Sequence, residues 1–188
     1  MYVSDTLTGS GVLGSNWTLT GTWERTGSGA RQTNSVSSYF KAAWTGSAME
    51  GQDYRVSATI GYDTDANIGA GVACRWATGT TVSGYVLVRF ATEVYRVELN
   101  AGAEVSPTLV STPGTGSIAL RIECEGNQIR SYVGGTLVNT LTDSTYATGT
   151  PGLVAYGGAP TATNYILNWS AIDIYERAMR RWRGYALY

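Results

Sequence analysis

The sequence predicts an all-β fold, an antiparallel sandwich, on three observations. The chain of 188 residues carries 24 glycines that punctuate short apolar runs. Charged residues make up only 14%, low for a solvated helical protein, while Tyr and Trp are plentiful; both features suit a sandwich with many turns. The stretch from Gly116 to Val154 reads as three strands joined by tight turns at Gly126-Asn127 and Gly134-Gly135. Such pairs supply the positive φ angles that two-residue hairpins require.

The first of these turns fixes a register. It sets Glu125 opposite Gln128, Cys124 opposite Ile129, Glu123 opposite Arg130, Ile122 opposite Ser131, Arg121 opposite Tyr132 and Leu120 opposite Val133. One face then carries Leu120, Ile122, Cys124, Ile129 and Val133, and a one-residue slip would scramble it. The other face places a Glu123–Arg130 salt bridge and an Arg121–Tyr132 cation–aromatic contact directly across the strands, each worth about 0.2–1 kcal/mol.

The other elements follow in order. Asp5 to Gly9 is a short strand leading into a Gly/Ser loop, and Trp17 to Glu24 reads as a strand pair around Thr20-Gly21. Residues 25–38 read mostly as loop, and Ser38 to Trp44 as an apolar strand. Asp53 to Tyr62 alternates, with Tyr54, Val56, Ala58 and Ile60 on one face. Ile68 to Trp76 alternates too, grouping Ile68, Ala70, Val72, Cys74 and Trp76. Its opposite face, with Gly69, Gly71 and Ala73, leaves a shallow groove or lets another backbone come close. Tyr85 to Phe90 and Val94 to Leu99 are further strands, the second with Tyr95, Val97 and Leu99 inward. A short strand at Thr108 to Val110 ends before Pro113-Gly114. Beyond the hairpins lie strands at Leu153 to Tyr156 and Tyr165 to Tyr175. The total is about twelve to fourteen strands with no helix inside the domain.

Composition excludes several functions. The net charge of −1 gives no general attraction to nucleic acid. With no His, there are no His-based triads, His metal sites or His pH switches. No apolar stretch is long enough to span a membrane, and no leader is evident at Met1 to Asp5. One Lys stands against twelve Arg, the bias of a GC-rich genome. Cys74 and Cys124 are the only cysteines. They read as two buried thiols, with a disulfide between sheet strands as the alternative.

Several segments together resemble the concanavalin A-like lectin/glucanase superfamily, especially its laminin-G-like members. They are Asp5-Thr6-Leu7-Thr8-Gly9 with Asn16-Trp17, Ala70 to Arg75 followed by Gly84 to Phe90, Leu120 to Glu123 with Gly126-Asn127, Tyr132 to Val138, and Thr142 to Gly149 with Gly152-Leu153. The resemblance covers about residues 3–175 and implies a two-sheet antiparallel jelly-roll sandwich over residues 1–175, followed by a basic-aromatic arm at 176–188. It does not by itself imply sugar binding, because the fold hosts many functions. Similar stand-alone domains occur on the virions of tailed phages, in tail or capsid-surface proteins.

The glucanases of that superfamily place their carboxylates as Glu-x-Asp-x-x-Glu on one strand, and no such spacing occurs here, so no enzyme is expected. No cofactor is expected either. Calcium has only scattered candidates: Asp5, Asp173, and Asp63 with Asp65 in a turn also holding Asn67. Glycan binding needs exposed aromatics with polar neighbours. The aromatics considered are Trp44, Trp76, Tyr85, Tyr132, Tyr146 and Tyr156, and the named ligand-binding set is Trp76, Tyr85, Arg130 and Tyr132. The arm carries Arg177, Met179, Arg180, Arg181, Trp182, Arg183 and Tyr185, residue types suited to docking on a partner or sister subunit. The reading is a non-enzymatic virion surface protein of a tailed phage, contacting other capsid or tail proteins and host glycans. The alternative is a carbohydrate-binding module for a cell-surface polysaccharide.

Overall fold

The computed structural model describes residues 2–5, 7, 9–27, 29–34, 36–46, 52–61, 66–157 and 169–176. Among them the chain forms seventeen strands and no helix. In order they are β1 (Tyr2–Asp5), β2 (Gly11–Val12), β3 (Trp17–Leu19), β4 (Trp23–Thr26), β5 (Gly29–Gln32) and β6 (Ser38–Trp44). Then come β7 (Tyr54–Ile60), β8 (Gly69–Trp76), β9 (Gly84–Phe90), β10 (Glu93–Asn100), β11 (Ala103–Glu104) and β12 (Thr108–Ser111). The last five are β13 (Ile118–Glu125), β14 (Gln128–Val133), β15 (Thr136–Thr142), β16 (Thr150–Gly157) and β17 (Trp169–Glu176).

Two antiparallel sheets result, as the sequence predicts. The nine-stranded sheet runs β15-β14-β13-β7-β17-β5-β4-β2, with β1 beside β17. The eight-stranded sheet runs β11-β10-β9-β8-β16-β6-β3, with β12 beside β10. The predicted β13–β14 register holds at all six pairs, from Leu120 opposite Val133 to Glu125 opposite Gln128. The alternation of β7 also holds: Tyr54, Val56, Ala58 and Ile60 are buried while Arg55 and Thr59 are exposed. Residues 20–21 do not turn a hairpin. β3 pairs with β6 in one sheet and β4 with β5 in the other, so the chain crosses between sheets there. The crossing is held by Asn34, whose side-chain oxygen accepts from the Thr22 N–H at 2.5 Å. The Trp23 indole also donates back to the Thr20 carbonyl at 2.9 Å.

The sheets enclose one apolar core, which includes Val56, Ile122, Cys124 and Ile129 from one side and Val72, Cys74, Leu87 and Leu153 from the other. Both thiols are free and buried within it. Burial, with Cys124 nearby, pushes the Cys74 thiol well up. A second apolar cluster lies on the opposite face of the eight-stranded sheet: Tyr39, Ala43, Ala73, Trp76, Val86, Val88, Val97, Leu99 and Val154. That face is concave. β6 and β11 are five strand intervals apart, about 24 Å in a flat sheet. Yet the Tyr39 hydroxyl on β6 donates to Glu104 Oε1 on β11 at 2.6 Å, so the sheet curls until its flanks touch.

Two departures from simple alternation follow. On β10, Val94 faces the inter-sheet core while Val97, Leu99 and Tyr95 pack on the concave side; those three are covered, but on the face opposite to the core. On β8, Arg75 has φ 55° and the pairing with β16 shifts register there. This bulge turns Trp76 away from Cys74 and onto the concave cluster. Gly84 and Gly149 flank the bulge, and a Cβ on either would come within 2.8 and 2.5 Å of the Arg75 backbone.

The curl itself depends on glycine. A Cβ on Gly71 would lie 2.0 Å from the Leu87 carbonyl oxygen, and one on Gly152 2.1 Å from that of Ala42. These are backbone contacts that no rotamer relieves. A Cβ on Gly69 meets side chains instead, those of Phe90 at 2.6 Å and Val88 at 2.9 Å. Gly71→Ala is therefore expected to cost at least the about 1–3 kcal/mol of an overpacked core. Gly69→Ala is expected to cost less, and urea unfolding of the two variants reads the difference.

Candidate functional site

Each sheet offers one face to ligands. The outer face of the nine-stranded sheet is the one the hairpin foreshadows. Row by row it carries Tyr175, Arg55, Glu123 and Arg130, then Arg121 and Tyr132. The Arg121 guanidinium lies 3.8 Å from the Tyr132 ring centre, as predicted. The predicted Glu123–Arg130 salt bridge does not form. Arg130 pairs with Glu125 at 2.6 Å, while Glu123 pairs with Arg121 at 3.1 Å and accepts from the Tyr132 hydroxyl at 3.1 Å. The Arg130–Glu125 and Tyr132–Glu123 contacts are diagonal across the hairpin, which its right-handed twist favours over the directly opposed pair, while Arg121–Glu123 runs along one strand. A small cleft of about 40 Å³ lies here, lined by Tyr54, Arg55, Glu123, Cys124, Glu125, Arg130 and Tyr175. Glu123 and Glu125 are paired with Arg121 and Arg130, and Arg55 stacks on Tyr175 at 4.7 Å. The carboxylates of the cleft are thus already engaged.

The concave face differs. Tyr39 on β6 stands opposite Tyr156 on β16, Tyr156 opposite Gly69 on β8, and Gly69 opposite Phe90 on β9. Because Gly69 has no side chain, the Phe90 ring leans over β8 and meets Tyr156. The ring centres are 4.8 Å apart for Tyr39–Tyr156, 5.6 Å for Phe90–Tyr156 and 6.1 Å for Phe90–Tyr95, all edge-to-face. Each such contact adds about 0.5–1.5 kcal/mol beyond simple burial. Tyr156, Phe90 and Tyr95 are half-buried and so keep ring surface open. Exposed carboxylates stand at both ends. Glu104 accepts from Tyr39, and Glu93 Oε2 accepts from the Tyr95 hydroxyl at 2.8 Å. Burial and the bond to Glu104 hold the Tyr39 phenol protonated far above its ordinary range.

Next to this platform the concave face is closed. Lys41 is buried, and its ammonium donates to the Ala77 and Thr81 carbonyls at 2.8 and 2.6 Å. Burial lowers its pKa. The 77–83 loop lies over Lys41 and so covers Trp76, whose ring centre is 6.0 Å from the ammonium. Trp76 and Tyr85, both expected to bind ligand, are fully buried and present no ring face to solvent. The bulge at Arg75 sends Trp76 under the loop. Tyr85 lies between the sheets, donates to Asp143 Oδ1 at 2.8 Å and accepts from the Tyr146 N–H at 3.2 Å. Trp44 is likewise in the core, and Tyr146 packs edge-on against Tyr85. Glu98 is buried, directly opposite Tyr85 in the register, and burial followed by the Asp143 charge pushes its carboxyl up.

Of the calcium candidates, Asp5 is spent on protein donors. Oδ1 accepts from the Leu7 N–H and from Arg25 at 2.8 Å each, and Oδ2 from Arg25 at 2.8 Å and the Trp17 indole at 3.2 Å. Asp63, Asp65, the side chain of Asp173 and the arm residues 177–188 lie outside the described residues. Among the described residues no group of three acidic, His or Cys side chains converges as a metal site would require. No described helix is long and apolar enough to cross a membrane.

No family model matches the sequence, and no curated protein matches it. Solved structures do match its fold. Carbohydrate binding module CBM66 from Bacillus subtilis is 22% identical, with a TM-score of 0.62, over 90% of this chain and 96% of that one. The Emp47p carbohydrate recognition domain is 10% identical, with a TM-score of 0.63, over 93% of this chain and 95% of that one. The Crh5 transglycosylase is 12% identical, with a TM-score of 0.64, over 94% of this chain and 85% of that one. The fold is therefore the concanavalin A-like jelly roll shared by sugar-binding domains and enzymes acting on glycans.

The Asp5 cluster gives a pH test. The Arg25 bonds hold the Asp5 carboxyl below its usual range, outweighing the burial that would raise it. A depressed carboxylate contributes its full stability above the unfolded value of about 3.9, and loses it as pH falls through the folded pKa. Thermal melts from neutral pH down into that acid window are expected to fall more steeply for the wild type than for Asp5→Asn.

Proposed function

We propose that this protein is a non-catalytic carbohydrate-binding module whose ligand lies across the concave face, on Tyr156, Phe90 and Tyr95. The observation that carries the reading is the contiguous run of half-buried rings on that face, with hydrogen-bonding carboxylates at its ends. Sugar rings stack on open aromatic faces while polar groups orient their hydroxyls. The fold it shares with a carbohydrate binding module and a carbohydrate recognition domain supports the reading.

Because a transglycosylase shares that fold too, the non-catalytic part rests on residues. Glycoside cleavage by two carboxylates needs an acid partner with a raised pKa beside the ligand. Glu98 has the raised pKa, but it lies between the sheets with Tyr85 and Asp143. Glu93 and Glu104 are at the ligand surface and already accept phenol protons in hydrogen bonds.

The setting proposed from the sequence is a tailed-phage virion surface, with residues 176–188 as the docking arm. Capsid or tail genes flanking its own gene support that setting, and a metabolic operon overturns it.

The site is tested on a glycan array followed by titration calorimetry. Tyr156→Ala and Phe90→Ala are each expected to weaken binding about tenfold or more, the scale of an aromatic anchor. Tyr132→Ala, on the opposite sheet, is expected to leave affinity unchanged. Loss of binding in Tyr132→Ala alone would move the site to the other face.

A further inference from the structure

The geometry points to a glycan bearing positively charged amino groups, a polymer or oligomer of unacetylated amino sugars, as the ligand of the concave platform. This rests on the carbohydrate-binding reading and specifies its ligand class.

The argument begins with how the ring contacts close. Tyr39, Tyr156, Phe90 and Tyr95 touch in series. Glu104 bonds to Tyr39 at one end, and its charge also acts on Tyr95 at the other. Glu93 bonds to Tyr95. Four aromatic side chains are thus bracketed by two exposed carboxylates. An ionised carboxylate has about four lone-pair sites. The phenols occupy one on each, so both retain acceptor capacity toward solvent.

Among the described residues no cation opens onto this surface. Lys41, the one lysine of the chain, is bonded to carbonyls under the 77–83 loop. The arginines of β9 and β10 turn to the other side of the sheet. Arg89 donates to the Ala91, Gly114 and Gly116 carbonyls and Arg96 to Thr108. The platform therefore combines π faces, carboxylate acceptors and unopposed negative charge. Ring quadrupoles and carboxylates both attract an ammonium group, and both disfavour a uronic acid. A neutral sugar gains only the stacking and the hydroxyl bonds.

The experiment is titration of the full chain, in mildly acidic buffer, with a glucosamine oligomer, its fully N-acetylated counterpart and an oligouronate. The first two share one sugar backbone; acetylation removes the amine's charge and adds an acetamide, so the salt dependence and the carboxylate variant isolate the charge. The expected result is about tenfold tighter binding of the glucosamine oligomer than of the acetylated one, and no binding of the oligouronate. The preference should shrink in high salt. It should also disappear in the Glu93→Gln/Glu104→Gln variant, whose affinity should fall much more for the glucosamine oligomer than for the acetylated one. Both positions are exposed, and a Gln amide oxygen still accepts from each phenol, so the variant is expected to fold, which its thermal melt checks. Equal affinity for the charged and acetylated oligomers overturns the inference and leaves the carbohydrate reading standing. So does a preference that survives in the double variant. Failure to bind any of the three oligomers, together with a blank glycan array, overturns both.

Discussion

The curl of the eight-stranded sheet depends on two places where a backbone passes too close for any side chain, Gly71 against Leu87 and Gly152 against Ala42. Neighbouring strands roll toward one another there. The roll brings β6 close enough to β11 for the Tyr39–Glu104 bond. It also converts what would be the solvated outer face of a sandwich into a second apolar cluster. A flatter sheet would leave Val86, Val97 and Val154 in water and would separate the aromatic side chains that now touch. Packing on this face and the run of touching rings at its end therefore have one cause.

The bulge at Arg75 ties that curl to the other sheet. A non-glycine residue at positive φ is strained by roughly 1–3 kcal/mol, and several bonds offset it. The Arg75 N–H donates to the Tyr54 hydroxyl at 2.6 Å, and that hydroxyl donates onward to the Gly149 carbonyl at 3.1 Å. The guanidinium donates to the Tyr146 and Gly126 carbonyls. Four segments are thereby fastened at one end of the sandwich: the start of β7, the end of β8, the β13–β14 turn and the 143–149 loop. The same bulge places Trp76 beneath Lys41 and the 77–83 loop. One irregular residue thus fixes the end of the sandwich and decides which aromatic is structural.

Local pattern in the sequence is enough to read the β13–β14 hairpin and β7. A two-residue glycine turn sets register, and one buried face enforces period two. The two-sheet arrangement was legible by another route, from composition and from the resemblance to concanavalin A-like jelly rolls. The platform was not, for identifiable reasons. Tyr156 stands out in the sequence as a candidate aromatic, but Phe90 and Tyr95 are ordinary strand residues until β8 is known to present Gly69 between Phe90 and Tyr156. β10 looks one-sided because Val97 and Leu99 share a face with Tyr95, yet both of its faces are covered, and only strand order reveals which faces the concave side. The Arg75 bulge inverts the parity of one strand end, so Trp76 and Cys74 part company despite their even spacing. Gly69 and Gly71, on one strand face with Ala73, do carry a signal: small residues repeated on one face mark a close approach of backbones.

The contrast between the two faces is the ground for proposing the concave one as the site. On the nine-stranded sheet the charges are arranged in opposite pairs, Arg121 with Glu123 and Arg130 with Glu125. A ligand arriving there must break bonds before it can make any, and burying a separated charge is costly. On the concave face both carboxylates are bonded only to neutral phenols. Their charge is uncompensated within the described structure, and the adjoining rings cannot supply the missing donors. Regularity therefore marks framework in this protein. The proposed ligand surface lies instead where acceptors and π faces gather with no cation among the described residues, at the open end of a sheet that glycine allows to curl.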